Sequence, residues 1–133
     1  WRRSEVTDPT TGESREISGL RPLEWEAHFT HDIPKWRVNW GVEVYGAWRE
    51  TDYRFDEVST VKLKTYVQPF VEWKPRADLS VRAEIGNAAE RGLRRTRTIY
   101  DGPRGAGAVR FIDDRDNQFG RTFYVRLRKT FGA

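Results

Sequence analysis

Apolar and polar residues change places at almost every step through long parts of this chain, and that period of two constrains its fold more than any other feature. Near the C-terminus Phe123, Val125, Leu127 and Phe131 alternate with Tyr124, Arg126, Arg128 and Thr130. Successive side chains of an extended strand leave opposite sides of the backbone, so this spacing gives one apolar and one polar face. A helix would scatter the same apolar residues around its circumference. Leu23, Trp25, Ala27 and Phe29 oppose Glu24, Glu26, His28 and Thr30 in the same way. The longest segment sets Trp36, Val38, Trp40, Val42, Val44, Gly46 and Trp48 against Arg37, Asn39, Gly41, Glu43, Tyr45, Ala47 and Arg49. A third sets Val61, Leu63, Val67, Pro69, Val71 and Trp73 against Lys62, Lys64, Tyr66, Gln68, Phe70 and Glu72. Pro69 is anomalous there, because proline cannot donate to a ladder and usually marks an edge or a bulge. A fourth sets Leu79, Val81, Ala83 and Ile85 against Ser80, Arg82, Glu84 and Gly86.

The segments are joined alternately by short and long connections. Asp32-Ile33-Pro34 and Lys74-Pro75-Arg76-Ala77-Asp78 read as tight turns, whereas Glu50 to Ser59 and Asn87 to Phe119 are long and polar. The second long stretch is weakly patterned, with Thr96 to Tyr100 and Val109 to Ile112 as extensions of neighbouring strands. Residues 1–22 read as a surface loop or hairpin, punctuated by Asp8-Pro9-Thr10-Thr11-Gly12. Short turns at one end and long loops at the other are the pattern of a transmembrane β-barrel. The expected fold is therefore all-β, an antiparallel β-meander of about five long amphipathic strands over residues 23–131, forming a partial transmembrane β-barrel. Phe29, Trp36, Trp73 and Phe131 fall at the turn ends of apolar faces and Trp48 at the other boundary, as a lipid-facing aromatic girdle requires. The polar faces, with Glu43, Lys62, Lys64, Arg82, Glu84, Arg126 and Arg128 as scaffold and Glu26, His28, Arg37 and Gln68 beside them, are expected to point into the lumen.

Composition narrows the alternatives. With 33% charged residues and a mean hydropathy of -0.82, the chain has no run approaching the roughly 18 apolar residues of a spanning helix. A β-barrel escapes that test, since only alternate residues meet lipid. The absence of cysteine excludes disulfides, cysteine-based zinc sites and thiol catalysis. No charged segment followed by an apolar one stands at Trp1, so an export signal would have to lie further upstream. The net charge of +4 comes with acidic residues interleaved almost everywhere. No basic stripe of the kind nucleic acid needs is present.

No catalytic constellation emerges, and no enzyme activity, cofactor or metal is expected. His28 and His31 are three apart, which places them on opposite faces of a strand. Asp113, Asp114, Asp116 and Asn117 lack the glycine and terminal glutamate of a calcium loop, and a solvated loop or pairing with Arg115 and Arg121 is the expectation. Gly102 to Gly107 lacks the lysine and following helix of a phosphate cradle. Arg91, Arg94, Arg95 and Arg97 suit either lipopolysaccharide phosphates or an anionic ligand, or a solvated loop strand paired with Glu57 or Glu90.

Three segments together carry a resemblance: Val71-Glu72-Trp73-Lys74-Pro75, Leu79 to Asn87, and the ending Phe119 to Phe131. They resemble the C-terminal strands of TonB-dependent outer-membrane receptors. The resemblance implies a bacterial outer-membrane location and a 22-stranded barrel around an N-terminal plug. Such receptors import scarce ligands such as ferric siderophores, cobalamin or glycans with energy from the TonB complex. It also implies outer-membrane lipid and lipopolysaccharide as surroundings, and the rest of the barrel and its plug as partners. Phe123, Val125, Leu127 and Phe131 match the signal read by the barrel-assembly machinery, although Lys129 interrupts it and Gly132 and Ala133 follow it. Nothing in the chain resembles the plug, and about five strands fall short of the eight or so of the smallest single-chain barrels. The expectation is the last quarter of a larger barrel. The alternatives are a standalone soluble lipocalin-like module that binds a small apolar ligand, and a fragment that buries its apolar face against a copy of itself.

Overall fold

A computed structural model describes residues 1–131; Gly132 and Ala133, expected to trail the assembly signal, lie outside the described residues. The chain is all-β and antiparallel, with 60% of residues in strands and 2% in helix. In order, the strands are β1 (Val6–Thr7), β2 (Ser14–Arg15), β3 (Glu26–Ile33), β4 (Val38–Tyr45), β5 (Trp48–Tyr53), β6 (Glu57–Leu63), β7 (Tyr66–Arg76), β8 (Leu79–Gly86), β9 (Gly92–Tyr100), β10 (Val109–Gln118) and β11 (Thr122–Lys129). They fall into two compact units. One holds Trp25–Gly46, Thr65–Arg91 and the residues from Phe119; the other holds Trp1–Glu24, Ala47–Lys64 and the segment 92–118.

The first unit is a five-stranded sheet ordered β11-β8-β7-β4-β3, the expected meander. Its apolar face is built in cross-strand rows. Ile33, Val38, Trp73, Val81 and Leu127 form one row; His31, Trp40, Val71, Ala83 and Val125 form the next. Several expected boundaries move. Leu23 and Trp25 precede β3, and Trp36 and Arg37 leave the strand for a 3-10 turn, Pro34–Trp36. Proline at the first position supplies the φ such a turn needs and has no N–H to lose. Arg37 closes it at φ 56, donating its N–H to the Pro34 carbonyl (3.1 Å), and its guanidinium reaches the Pro75 carbonyl rather than the polar face.

Pro69 lies in an interior strand, not at an edge. It pairs with Val42 on the β4 side, while pairing between β7 and β8 starts only at Phe70 opposite Glu84. The missing donor thus falls where no ladder bond is required of it. Pro75 likewise coincides with the bulge between Trp73 and Arg76. Gly41 lets the Phe70 ring lie flat against the neighbouring strand, since a Cβ there would stand 2.8 Å from the ring.

The second unit is a four-stranded sheet ordered β10-β9-β6-β5. It revises the expectation that residues 36–49 and 61–73 are single strands, because the chain breaks at Gly46–Ala47 and at Lys64–Thr65. The Gly46 N–H donates to the Trp25 carbonyl at 2.8 Å, and a Cβ at Gly46 would collide with the Trp25 indole. That close approach ends β4. The stretches read as loops are also regular strands: β5 and β6 form a hairpin closed by Arg54 N–H to Glu57 O (2.8 Å), and β9 and β10 a longer one. Their polar residues face both ways, which removes the alternation by which the other strands are recognised. The N-terminal hairpin of β1 and β2 belongs to this unit, turning through Gly12 at φ 76.

Candidate functional site

The five-stranded sheet inverts the usual arrangement of a water-soluble protein. Among the described residues the one buried hydrophobic side chain is Phe70, 9% exposed, and it stands on the polar face, in the row Thr30, Gly41, Phe70, Glu84, Tyr124. The Arg82 guanidinium lies 3.9 Å from its ring centroid and donates to Glu84 at 2.9 Å. On the apolar face, by contrast, Val71 is 44% and Trp73 50% exposed although both sit in the interior strand β7. Phe123, Val125, Leu127 and Phe131, the expected assembly signal, are all highly exposed, as is Trp36. Trp73 stands in the row nearest the Pro34 turn and Trp36 within that turn, so these two share one end of the sheet. Phe29 sits opposite Val42, two rows further in. Trp48 belongs to the other unit, where Arg21 covers its ring at 3.8 Å.

The interruption at Lys129 has a local cause. It pairs with Leu79 on the apolar face, and its ammonium is held by the Asp78 carboxylate at the turn. The remaining scaffold residues divide between the units. Glu43, Arg82, Glu84, Arg126 and Arg128 share the polar face of the five-stranded sheet, with His28 opposite Glu43. His31 is on the apolar face beside Trp40, so the histidines are apart as expected. Lys62 and Lys64 belong to the four-stranded unit.

In that unit most of the basic and acidic clusters neutralise each other. Arg97 grips Glu57 with two bonds of 2.7 and 2.9 Å, Arg94 pairs with Asp114, and Arg115 with Asp113 at 3.0 Å. In the five-stranded unit Arg121 takes Glu90 (3.4 Å) rather than the aspartate cluster. The Arg97 bonds hold the Glu57 carboxyl below its ordinary range against the opposing cost of burial. Arg94, with help from the Thr96 hydroxyl, does the same for Asp114. No cluster of three or more potential metal ligands gathers among the described residues.

Two polar anchors carry no motif by which the sequence reveals them. Asp8 is 1% exposed and receives Arg104 and Arg15, each at 2.5 Å, together with the N–H groups of Thr10 and Thr11. Burial pushes its carboxyl up, but Arg104, the Thr10 N–H, Arg15 and the Thr11 N–H outweigh this and hold it far below the carboxylate range. The glycine-rich loop around Arg104 is thereby tied to the N-terminal hairpin. Asn87, 5% exposed at φ 56, donates to the Phe119 carbonyl (2.5 Å) and accepts from the Arg91 N–H (2.6 Å). It joins the end of β8 to the start of β11.

No protein-family model matches the chain, and neither a curated protein nor a solved structure matches it.

Proposed function

We propose that the five-stranded sheet is a segment of a bacterial outer-membrane β-barrel, its apolar face against lipid and its polar face toward the lumen. The observation that carries this reading is the exposure of Trp73 and Val71 in an interior strand while Phe70, the one buried apolar ring among the described residues, lies on the polar side. A sheet folded for water buries the face that carries such residues; one folded for lipid exposes it. A lipocalin-like module would turn the same face inward, and the exposure of the central rows weighs against it. The sheet ends at β3 and β11 have unpaired edges, and a barrel removes its edges by continuing around.

The resemblance of Phe119 to Phe131 and of the two upstream segments extends the proposal to a TonB-dependent receptor importing a scarce ligand such as a ferric siderophore. In it, β3 would pair with preceding barrel strands and the polar face would meet the plug. The barrel-assembly machinery would read Phe123, Val125, Leu127 and Phe131, and lipopolysaccharide would surround the outer rim. The segment itself performs no catalysis in this reading. The test is to wash native outer membranes and measure the mass of the polypeptide recognised by an antibody against its C-terminal strand. A retained band several times 15.7 kDa is expected; a soluble band of that mass overturns the proposal.

A further inference from the structure

The four-stranded unit carries a file of cations that the ion pairs above leave unspent. Register sets Arg49 of β5 opposite Lys62 of β6, and Lys62 opposite Arg94 of β9. Directly opposed side chains on one face stand roughly 5 Å apart at Cβ, and like charges there repel. Arg94 is relieved by Asp114 from the next row, with Nε to Oδ1 at 3.0 Å. Arg49 and Lys62 make no ion pair among the described residues, nor does Lys64, two residues further along the same face; all three are exposed. Asp116 closes the file beyond Arg94 and Asp114 lies within electrostatic reach of Lys62, so the least compensated charge lies at the β5–β6 end.

The next row on this face is Thr51, Thr60, Thr96 and Asp114. The Thr51 and Thr60 hydroxyls are 3.1 Å apart; one of the two O–H groups is free to donate outward. The opposite face behaves differently: there Arg97 has Glu57, Arg115 has Asp113, and Arg21 has Glu24 and Glu50. On that face Arg95 has only the Ser59 hydroxyl at 3.4 Å, but the arginine it opposes, Arg115, has Asp113. Arg49 and Lys62 are directly opposed cations of which neither has a carboxylate within ion-pair distance among the described residues, and they stand beside a hydroxyl pair.

The geometry points to an oxyanion-binding site in which Arg49 and Lys62 jointly hold a multivalent phosphate or carboxylate, with Lys64 and the Thr51–Thr60 hydroxyls at its margin. The guanidinium fork takes two oxygens in its plane, and the ammonium supplies a compact second charge. A single phosphate on so open a surface would lose to water and salt. The site therefore selects ligands carrying several negative groups close together, whether free in solution or in a lipid headgroup. It is independent of the membrane reading, which bears on the other unit.

The experiment titrates the full chain in dodecyl maltoside, an uncharged detergent, with tripolyphosphate by calorimetry. A parallel arm measures binding to phosphatidylcholine vesicles with and without phosphatidylglycerol. Saturable binding is expected, weakened about tenfold by Arg49→Gln and again by Lys62→Gln, and unchanged by Arg95→Gln on the other face. Binding in detergent assigns a free ligand; binding only to the anionic vesicles assigns a headgroup. The inference is overturned if neither arm binds, or if Arg95→Gln weakens binding as much as the two variants in the file, with circular dichroism confirming that each variant is folded. Failure of the membrane reading looks different: a chain that needs no detergent and still binds tripolyphosphate.

Discussion

In the five-stranded unit Trp73, Val71 and the alternate apolar residues of β11 stand exposed, and the polar side encloses Phe70. In the four-stranded unit the buried groups are Asp8, Glu57 and Ser59, and arginines answer the two carboxylates. Both sheets have the same kind of strand order, since each neighbour in β10-β9-β6-β5 directly precedes or follows in sequence its counterpart in β11-β8-β7-β4. The difference therefore lies in the side chains and not in the topology. In the outer-membrane reading proposed above, one set would meet lipid and the other water.

The most severe way to break this comparison is Phe70→Ala, which leaves Arg82 over a void and should cost about 3 to 5 kcal/mol. Amide hydrogen exchange should show β4, β7 and β8 losing protection while β9 and β10 keep theirs; simultaneous loss in both would make the units one cooperative block. Next comes Val71→Arg. In a bilayer it should cost about 2 to 4 kcal/mol, the range for a cation on the lipid face, whereas Asn117→Arg at an exposed position of β10 should stay within about 0.5 kcal/mol. Equal costs in denaturant titrations of the vesicle-inserted chain would remove the assignment of the two sheets to different media. Asn87→Ala is a smaller lesion, about 1 to 3 kcal/mol for backbone groups left without their partner, read as faster exchange at Arg91.

The finest test uses acid. Asp8, Glu57 and Asp114 are all held below their ordinary carboxyl values in the folded chain. Their stabilisation is fully present above the unfolded values near pH 4 and drains away as pH falls through the folded ones. Protection in the β1–β2 hairpin, β6 and β9 should fall in that window, and Asp8→Asn should remove part of the pH dependence. A flat profile would show that these ion pairs do not distinguish the four-stranded unit.

The five-stranded sheet is legible because its alternation has an apolar member at nearly every second position, from Phe29 in β3 to Leu127 in β11. The four-stranded sheet is not, because Arg94, Arg95, Thr96 and Arg97 put polar groups on both faces, and hydrophobic periodicity has nothing to act on. The breaks at Gly46 and at Lys64 leave the odd–even parity intact, so residues on either side read as one continuous strand. Trp36 is displaced by the turn-forming preference of Pro34, a local effect that overrides the parity. Asp8 shows a different gap. Its partner Arg15 sits across the same hairpin, but Arg104 comes from 96 residues away, and only the folded chain brings the three together.

The pairing pattern also sets an order of events. β7 and β8 meet across a turn of two residues between Arg76 and Leu79, and β6 and β9, the segments just outside them in the chain, pair in turn from Leu63 opposite Leu93 to Glu57 opposite Ile99. Each closure shortens the loop that the next one must form, so the entropic cost of joining residues as far apart as Glu57 and Ile99 is met in small steps. The chain can thus zip outward from the Arg76–Leu79 turn, and slowing that one turn would delay the β7–β8 and β6–β9 pairings while the local hairpins β3–β4, β5–β6 and β9–β10 close on their own.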